Sequence, residues 1–334
     1  MGGRAWPNGP PARTNRAWPC LTLAESPDYP RPSFAPAKQL RERGGVLPNA
    51  DTRVETSRDR RIAVPEGERQ YHIGLGPGDL AEYILLPGDQ DRTSRIASRF
   101  DSIELEHRHR EFASATGTYK GQRVSVVSTG IGTDNVEIAV AEILAITQRP
   151  TLIRVGSCGA LQPEMRLGDL VITTGAVRLE TTTSWYVHDG YPAVADYEAV
   201  TALIEAAERL GHRYHVGVTA TAPGFYGSQG RPIPQLPIRY PDLAEDMARQ
   251  RVMNFEMEAS ALLVFASLAG CRAGVVCAVY ANRTTGEFID GAMKDAAETA
   301  CVETGLESLL VLAQIDAQKR TASTDRWRPS LWTT

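Results

Sequence analysis

No apolar run in this chain approaches the roughly 20 residues that a membrane-spanning helix needs, and no signal-peptide core stands near residue 1. Cysteine is scarce: Cys20, Cys158, Cys271, Cys277 and Cys301 are odd in number and lack a C-x-x-C spacing, which argues against a disulfide scaffold and a structural zinc. An excess of charge of one sign is also missing. With 36 basic and 40 acidic residues the net charge is −4, so no global basic field exists to hold nucleic acid. A Walker A lysine motif and a G-x-G-x-x-G turn are both absent, which disfavours a nucleoside triphosphate or dinucleotide site. What remains is a cytoplasmic, soluble chain of 334 residues, 42% hydrophobic, able to bury a substantial core and directed at a small molecule.

Residues 1 to 60 hold 9 of the 21 prolines and 9 arginines, with few aliphatic runs, so they cannot build an apolar face. The arginine-rich, acid-poor start resembles a transit peptide in composition, but Pro7, Pro10, Pro11 and Pro19 break the amphipathic helix such a peptide needs. Gly2 hints at myristoylation, yet Trp6 stands where Ser or Thr is wanted. The expected organisation is a disordered extension over 1–65, one folded domain over 66–318 and a flexible tail over 319–334.

From Tyr71 onward, strands alternate with helices. The patterns predict strands at 83–86, 111–119, 123–128, 151–155, 170–177, 216–222 and 273–281, with helices at 93–100, 133–147, 197–210, 260–269 and 292–317. Val- and Ile-rich buried strands interleaved with helices imply a three-layer α/β/α sandwich around a mixed central sheet. Ligands on such sheets sit at the carboxyl ends of strands. The Pro/Gly-rich segment 223–237 is too long for a simple turn, and long loops in compact domains usually carry function.

Two features carry chemistry. Asn254-Phe255-Glu256-Met257-Glu258-Ala259-Ser260 places two carboxylates two residues apart. If a strand runs to Met257, both point to one face and suit the hydroxyls of a sugar; alternatively they open the next helix, where negative charge is favoured. Arg92, Arg110 and Arg154 stand at or near glycine-containing strand ends, where guanidinium groups and close backbone N–H donors suit a phosphate dianion, although strand-end arginines are more often surface ion pairs.

Several stretches in order identify a family. Tyr71-His72-Ile73-Gly74-Leu75, Pro87-Gly88-Asp89-x-Asp91-Arg92, His109-Arg110-Glu111-Phe112, Ser128-Thr129-Gly130-Ile131-Gly132, Arg154-Val155-Gly156 and Asn254 to Glu258 resemble the purine/uridine phosphorylase family over about residues 70–315. Phe225-Tyr226-x-x-Gln229-x-Arg231 and Asn282-Arg283-Thr284 narrow the resemblance to its uridine-cleaving branch. The resemblance implies phosphorolysis of uridine, and by extension deoxyuridine or thymidine, to uracil and the pentose 1-phosphate in pyrimidine salvage. It implies Gly88, Arg92, Arg154 and Ser157 around phosphate, with Arg110 reaching in from a neighbouring subunit. Glu258 would meet the ribose diol, Glu256 and Met257 would line the pocket, and His72 of the neighbour would meet the 5′-hydroxyl. Phe225 would pack on the base, Gln229 and Arg231 would read uracil, and Arg283 would support them. A homodimer is then the smallest complete enzyme, and a hexamer, a trimer of dimers, is open.

The residue types agree with the reaction. Cleaving an N-glycosidic bond builds positive charge on ribose and negative charge on the base, so anions are needed beside the sugar and donors around the base. Arg231, Gln229, Glu258 and Arg92 are the residues expected to carry catalysis. Cytosine would set its amino donor against Arg231, a mismatch of about 1–3 kcal/mol. No cofactor is implied beyond phosphate as co-substrate. Glu111 and Ile131 match positions that hold a monovalent cation in some members, but Asn135 replaces a serine there, leaving K+ as the one candidate metal. Gln90 replaces a proline, Ser157 a threonine, and Tyr280 a small or aliphatic residue beside the base. A purine phosphorylase would carry an aspartate near Arg283 and lack Gln229 with Arg231; a nucleosidase would not need three phosphate arginines. Against a non-catalytic nucleoside-binding protein stand Arg92, Arg154, Glu258, Gln229 and Arg231 together.

Overall fold

The computed structural model describes residues 68–332; the segment expected to be a disordered extension, residues 1–65, lies outside them. The chain runs β1 (Tyr83–Pro87), α1 (Gln90–Ala97), β2 (Ser102–His109), β3 (Phe112–Tyr119), β4 (Gln122–Val127), α2 (Thr133–Ile146), β5 (Thr151–Ala160) and β6 (Leu170–Arg178). It continues through β7 (Ala193–Val194), α3 (Tyr197–Leu210), β8 (Tyr214–Thr221), α4 (Leu243–Arg249), β9 (Asn254–Glu256), α5 (Ala259–Ala269), β10 (Arg272–Asn282), β11 (Glu287–Phe288) and α6 (Gly291–Thr321).

All strands join one mixed sheet in the order β11-β10-β6-β8-β9-β5-β1-β4-β3-β2, with β7 beside β6. Because β10 pairs with both β6 and β5, five strands close into a ring, while β1, β4, β3 and β2 extend from β5 as an open sheet. One apolar cluster holds Val136, Val140 and Ile143 of α2 with Leu262 and Leu263 of α5. The other holds Ile96 of α1, Leu203 of α3, and Leu306, Leu309 and Ile315 of α6. Helices thus cover both faces, which is the expected three-layer α/β/α arrangement.

Differences from the sequence expectation have local causes. Helix α1 begins three residues before Thr93 because Asp89 caps it, accepting from Asp91 N–H at 2.9 Å. Strand β5 does not stop at Val155; its ladder with β10 continues to Ala160 and carries Gly156-Ser157-Cys158-Gly159 as extended backbone. Helix α4 was not expected, since only Met247 of its seven residues is buried and no apolar stripe announces it. The flexible tail expected from residue 319 is also different. Helix α6 continues to Thr321, Lys319 meets Glu198 at 2.8 Å and Asp316 at 3.0 Å, and Trp327 returns to the core at 6% exposure.

The crossing of α6 over the sheet decides where β5 lies. At Gly305 the helix touches the strands so closely that a Cβ would overlap Val155 Cγ1 and stand 3.4 Å from Leu85 Cδ2. Val155 follows Arg154 directly, so this contact sets the backbone from which a site arginine projects. Gly305→Ala improves helix propensity by about 1 kcal/mol yet forces a β-branched strand residue to move, which costs about 1–3 kcal/mol. The expected outcome is a net loss of stability, read as a lower denaturant midpoint at unchanged slope.

Candidate active site

Gly88 follows β1, Arg92 sits in α1, Arg154 and Ser157 belong to β5, and Glu256 to Glu258 bridge β9 and α5. Phe225, Gln229 and Arg231 come from the 223–237 loop, shaped by a 3-10 turn at Gly227–Gln229. These ten residues, Met257 included, line a single cavity of about 840 Å³ at the carboxyl ends of the parallel strands.

At one end two arginines are held by protein acceptors but not exhausted by them. Arg92 donates through Nη1 to Val155 O at 3.1 Å and through Nη2 to Glu298 Oε2 at 3.5 Å. Arg154 donates through Nε to Glu256 Oε2 at 3.1 Å and pairs through Nη2 with Glu258 Oε2. Arg92 Nε and Arg154 Nη1 remain buried with no protein acceptor among the described residues. Burial alone would make Arg154 easier to deprotonate, but Glu258 and Glu256 reverse this and push its pKa up, so it stays cationic. Buried donors are nearly always met, and a tetrahedral dianion with several lone pairs suits two guanidinium N–H groups from different elements. Gly88 leaves room for it: a Cβ there would stand 3.1 Å from Gly130 O and 3.7 Å from Arg154 Nη1.

The paired glutamates separate by partner. Glu256 accepts from Thr221 Oγ1 at 2.6 Å, from the N–H groups of Glu258 and Ala259 at 2.8 and 2.9 Å, and from Arg154. Its oxygens are committed to protein donors, so among the two it is the one that opens α5 and holds the arginine. Glu258 accepts from Gly132 N–H at 2.6 Å and from Arg154, which leaves acceptor capacity facing the cavity. Burial pushes its carboxyl above the ordinary range, with Arg154 opposing and Glu256 adding to the shift. Strand alternation does not extend through Met257: β9 stops at Glu256, and Glu258 has φ −139° and ψ −22° as the residue before α5. Met257 therefore faces the same cavity as its neighbours.

At the other end the Arg231 guanidinium lies 4.0 Å from the Phe225 ring centroid. Gln229 is buried, and its carbonyl accepts from Arg283 Nη2 at 2.8 Å, so Arg283 braces the loop from behind and is not itself on the cavity wall. Arg231 Nε and Arg283 Nη1 are buried without protein acceptors among the described residues. Burial, and for Arg231 the nearby Arg283, lowers both pKa values. Two adjacent guanidinium groups with spare N–H donors suit a planar ligand rich in carbonyl oxygens.

His72 and Arg110 are not brought to this cavity. His72 is engaged with Glu142, ring Nδ1 to Oε1 at 2.6 Å, and Arg110 sits in the β2–β3 turn with φ 53°, its guanidinium 4.7 Å from the Tyr71 ring. The two share one surface with His109, whose Nδ1 is 2.9 Å from His72 O. Glu111, Ile131 and Asn135 do line the cavity. Asn135 Nδ2 donates to Ile131 O at 3.4 Å, which turns the amide nitrogen toward that carbonyl. No group of three or more His, Cys, Asp or Glu suited to a metal occurs among the described residues.

Residues 82–307 match the family model described as the Phosphorylase superfamily. The chain belongs to the phosphorylase superfamily. Among relatives of this superfamily, a uridine phosphorylase of Thermococcus kodakarensis is 48% identical over 78% of this chain and 93% of its own length. A guanosine phosphorylase of Halorubrum lacusprofundi is 35% identical over 65% of this chain and 86% of its own. A solved nucleoside phosphorylase of Trypanosoma brucei, described as showing uridine phosphorylase activity, superposes with a TM-score of 0.69 at 26% identity, covering 75% of this chain and 99% of that one.

Sequence reasoning missed three residues on the wall of this phosphorylase cavity, Arg108, Phe288 and Lys294, while Tyr280, expected beside the base, does line it. Arg108 is bonded to the side-chain oxygen of Gln90, the residue that departs from the family's proline. Cys158 lines the cavity too, but burial pushes its thiol well above the ordinary range, which suits a small packing residue and not a nucleophile. Glu256→Ala removes one partner of a buried arginine and an acceptor of two helix N–H groups. The expected cost is about 3 kcal/mol, measured as a loss of unfolding free energy.

Proposed function

We propose that this chain cleaves uridine with inorganic phosphate, giving uracil and ribose 1-phosphate. The observation that carries the reading is the sharing of one cavity by two buried guanidinium donors, a cavity-facing carboxylate and, at the far end, Arg231 and Gln229, with Arg283 braced behind them. The name of the Thermococcus relative supports it.

Phosphate, held by Arg92 Nε and Arg154 Nη1 with Gly88 and Ser157 beside it, supplies the oxygen that bonds to ribose C1′. The C1′–N1 bond breaks with its electron pair going to the base, and the uracil anion takes its proton from solvent after leaving. Glu258 accepts hydrogen bonds from the ribose hydroxyls, and its charge favours the electron-poor ribosyl group of the transition state. Glu256 acts by holding Arg154. Gln229 and Arg231 donate to uracil oxygens as negative charge develops there, with Phe225 against the ring. Phosphate is the co-substrate and no cofactor step is required. His72, half-buried, and Arg110, exposed on the same surface, would complete the site of a second copy, which makes a dimer, alone or in a trimer of dimers, the working unit. The free thiols at Cys158, Cys271, Cys277 and Cys301 suit a reducing cytoplasm, and no helix among the described residues is long and apolar enough to cross a membrane.

Incubating the protein with uridine should release uracil only when phosphate is present, with ribose 1-phosphate formed in equal amount. Equal release without phosphate would make it a nucleosidase, faster cleavage of guanosine would make it a purine enzyme, and no cleavage of any nucleoside would leave a binding protein. Arg231→Ala should erode the preference for uridine over cytidine about ten- to a hundredfold, from the loss of one charged donor to O4, while phosphate KM changes little. A collapse of phosphate affinity with base preference intact would remove Arg231 from the base site.

A further inference from the structure

Tyr280 differs from the rest of β10 in its backbone. In the ladder with β5, Val279 lies opposite Cys158 and Ala281 opposite Gly159, so Tyr280 is an inserted residue with no partner in register. Such insertions re-aim a side chain and recur beside active sites. The Tyr280 carbonyl accepts from Ile289 N–H at 2.9 Å, which secures the segment carrying Phe288 at the cavity. Its ring lines the cavity near Arg92, and its hydroxyl donates to Glu298 Oε2 at 3.3 Å.

Glu298 is buried between two arginines. Its Oε1 accepts from Arg95 Nη1 at 2.7 Å, and its Oε2 from Arg92 Nη2 at 3.5 Å. The Tyr280 hydroxyl and Arg92 therefore share one carboxylate oxygen. Arg92 is held by Val155 O on one side and Glu298 on the other, each Nη keeps a second N–H, and Nε is buried with no protein acceptor among the described residues.

We propose that Tyr280 is a positioning residue for phosphate: by donating to Glu298 Oε2 it restrains the carboxylate from drawing Arg92 inward, and so keeps Arg92 Nε directed at the anion. The inference rests on the reading of the cavity as a phosphorolysis site. It assigns to the tyrosine an action on the phosphate end, through two other side chains, and no direct role in reading the base.

The test compares wild type, Tyr280→Phe, Glu298→Gln and the double variant, by steady-state kinetics with uridine and phosphate and by calorimetric titration with inorganic phosphate alone. Losing the hydroxyl should raise phosphate KM and the phosphate dissociation constant about three- to tenfold, the range of one ordinary net hydrogen bond. Uridine KM and kcat should move by less than about twofold. The double variant should bind phosphate no worse than Glu298→Gln, because the tyrosine acts through that carboxylate. Unchanged phosphate affinity in Tyr280→Phe, a shift confined to uridine KM, or full additivity in the double variant would each overturn the proposal. If Glu298→Gln fails to fold, the titration of Tyr280→Phe decides. Wild type that binds phosphate without cleaving uridine would sink the uridine reading while leaving this test intact. Wild type that binds no phosphate would overturn this proposal.

Discussion

The site depends on one buried guanidinium, that of Arg154, held between Glu256 and Glu258. Removing three charges from water is expensive, and an ion cluster of this kind repays its desolvation only when geometry and further hydrogen bonds satisfy every lone pair. Here Glu256 is satisfied completely, by Thr221, two backbone N–H groups and the arginine. Glu258 and Arg154 each keep one side open to the cavity. A structure tuned for stability alone would have no use for that remainder. Its chemistry is complementary to a substrate that brings both an anion and hydroxyl donors.

The same constraint explains why the sheet is built as it is. Strand β5 is paired with β1, β9 and β10, and its residues 154–160 run past the cavity floor as extended chain. Segments at residues 88–92, 154–157, 225–231 and 256–258 thereby meet around it although they are far apart in the chain. The close contact of α6 with Val155 at Gly305 and the buried clusters on both faces hold β5 in place. Glu298, on that helix, reaches the cavity's second arginine, so α6 serves the site as well as the core.

Much of this was legible in the residues. Alternating strands and helices named the architecture, and ten of the expected site residues converge on one cavity. The paired glutamates admitted two readings, a sugar site and a helix opening; Glu256 is committed to the opening of α5 and to Arg154, while Glu258 keeps acceptor capacity toward the cavity. Period-two alternation is a property of uninterrupted strand, and β9 ends at Glu256, so it had no hold on Met257 or Glu258. Helix α4 and the C-terminal turn around Trp327 escaped because neither shows a continuous apolar stripe; their burial comes from surfaces supplied by distant segments.

By itself the sequence determined the α/β class, the absence of nucleotide-triphosphate and metal motifs in its residue pattern, and which side chains have the chemistry for phosphate, sugar and base. These follow from local periodicity and from functional groups that keep their character in any fold. Only the tertiary structure decided which donors are left unspent, that Glu256 is consumed by Arg154 and the start of α5, that Arg283 stands behind Gln229, and that Tyr280 leaves the ladder to reach Glu298. Those are statements about who is whose partner across long stretches of chain, and partnership is set by the register and packing of elements that no local pattern encodes.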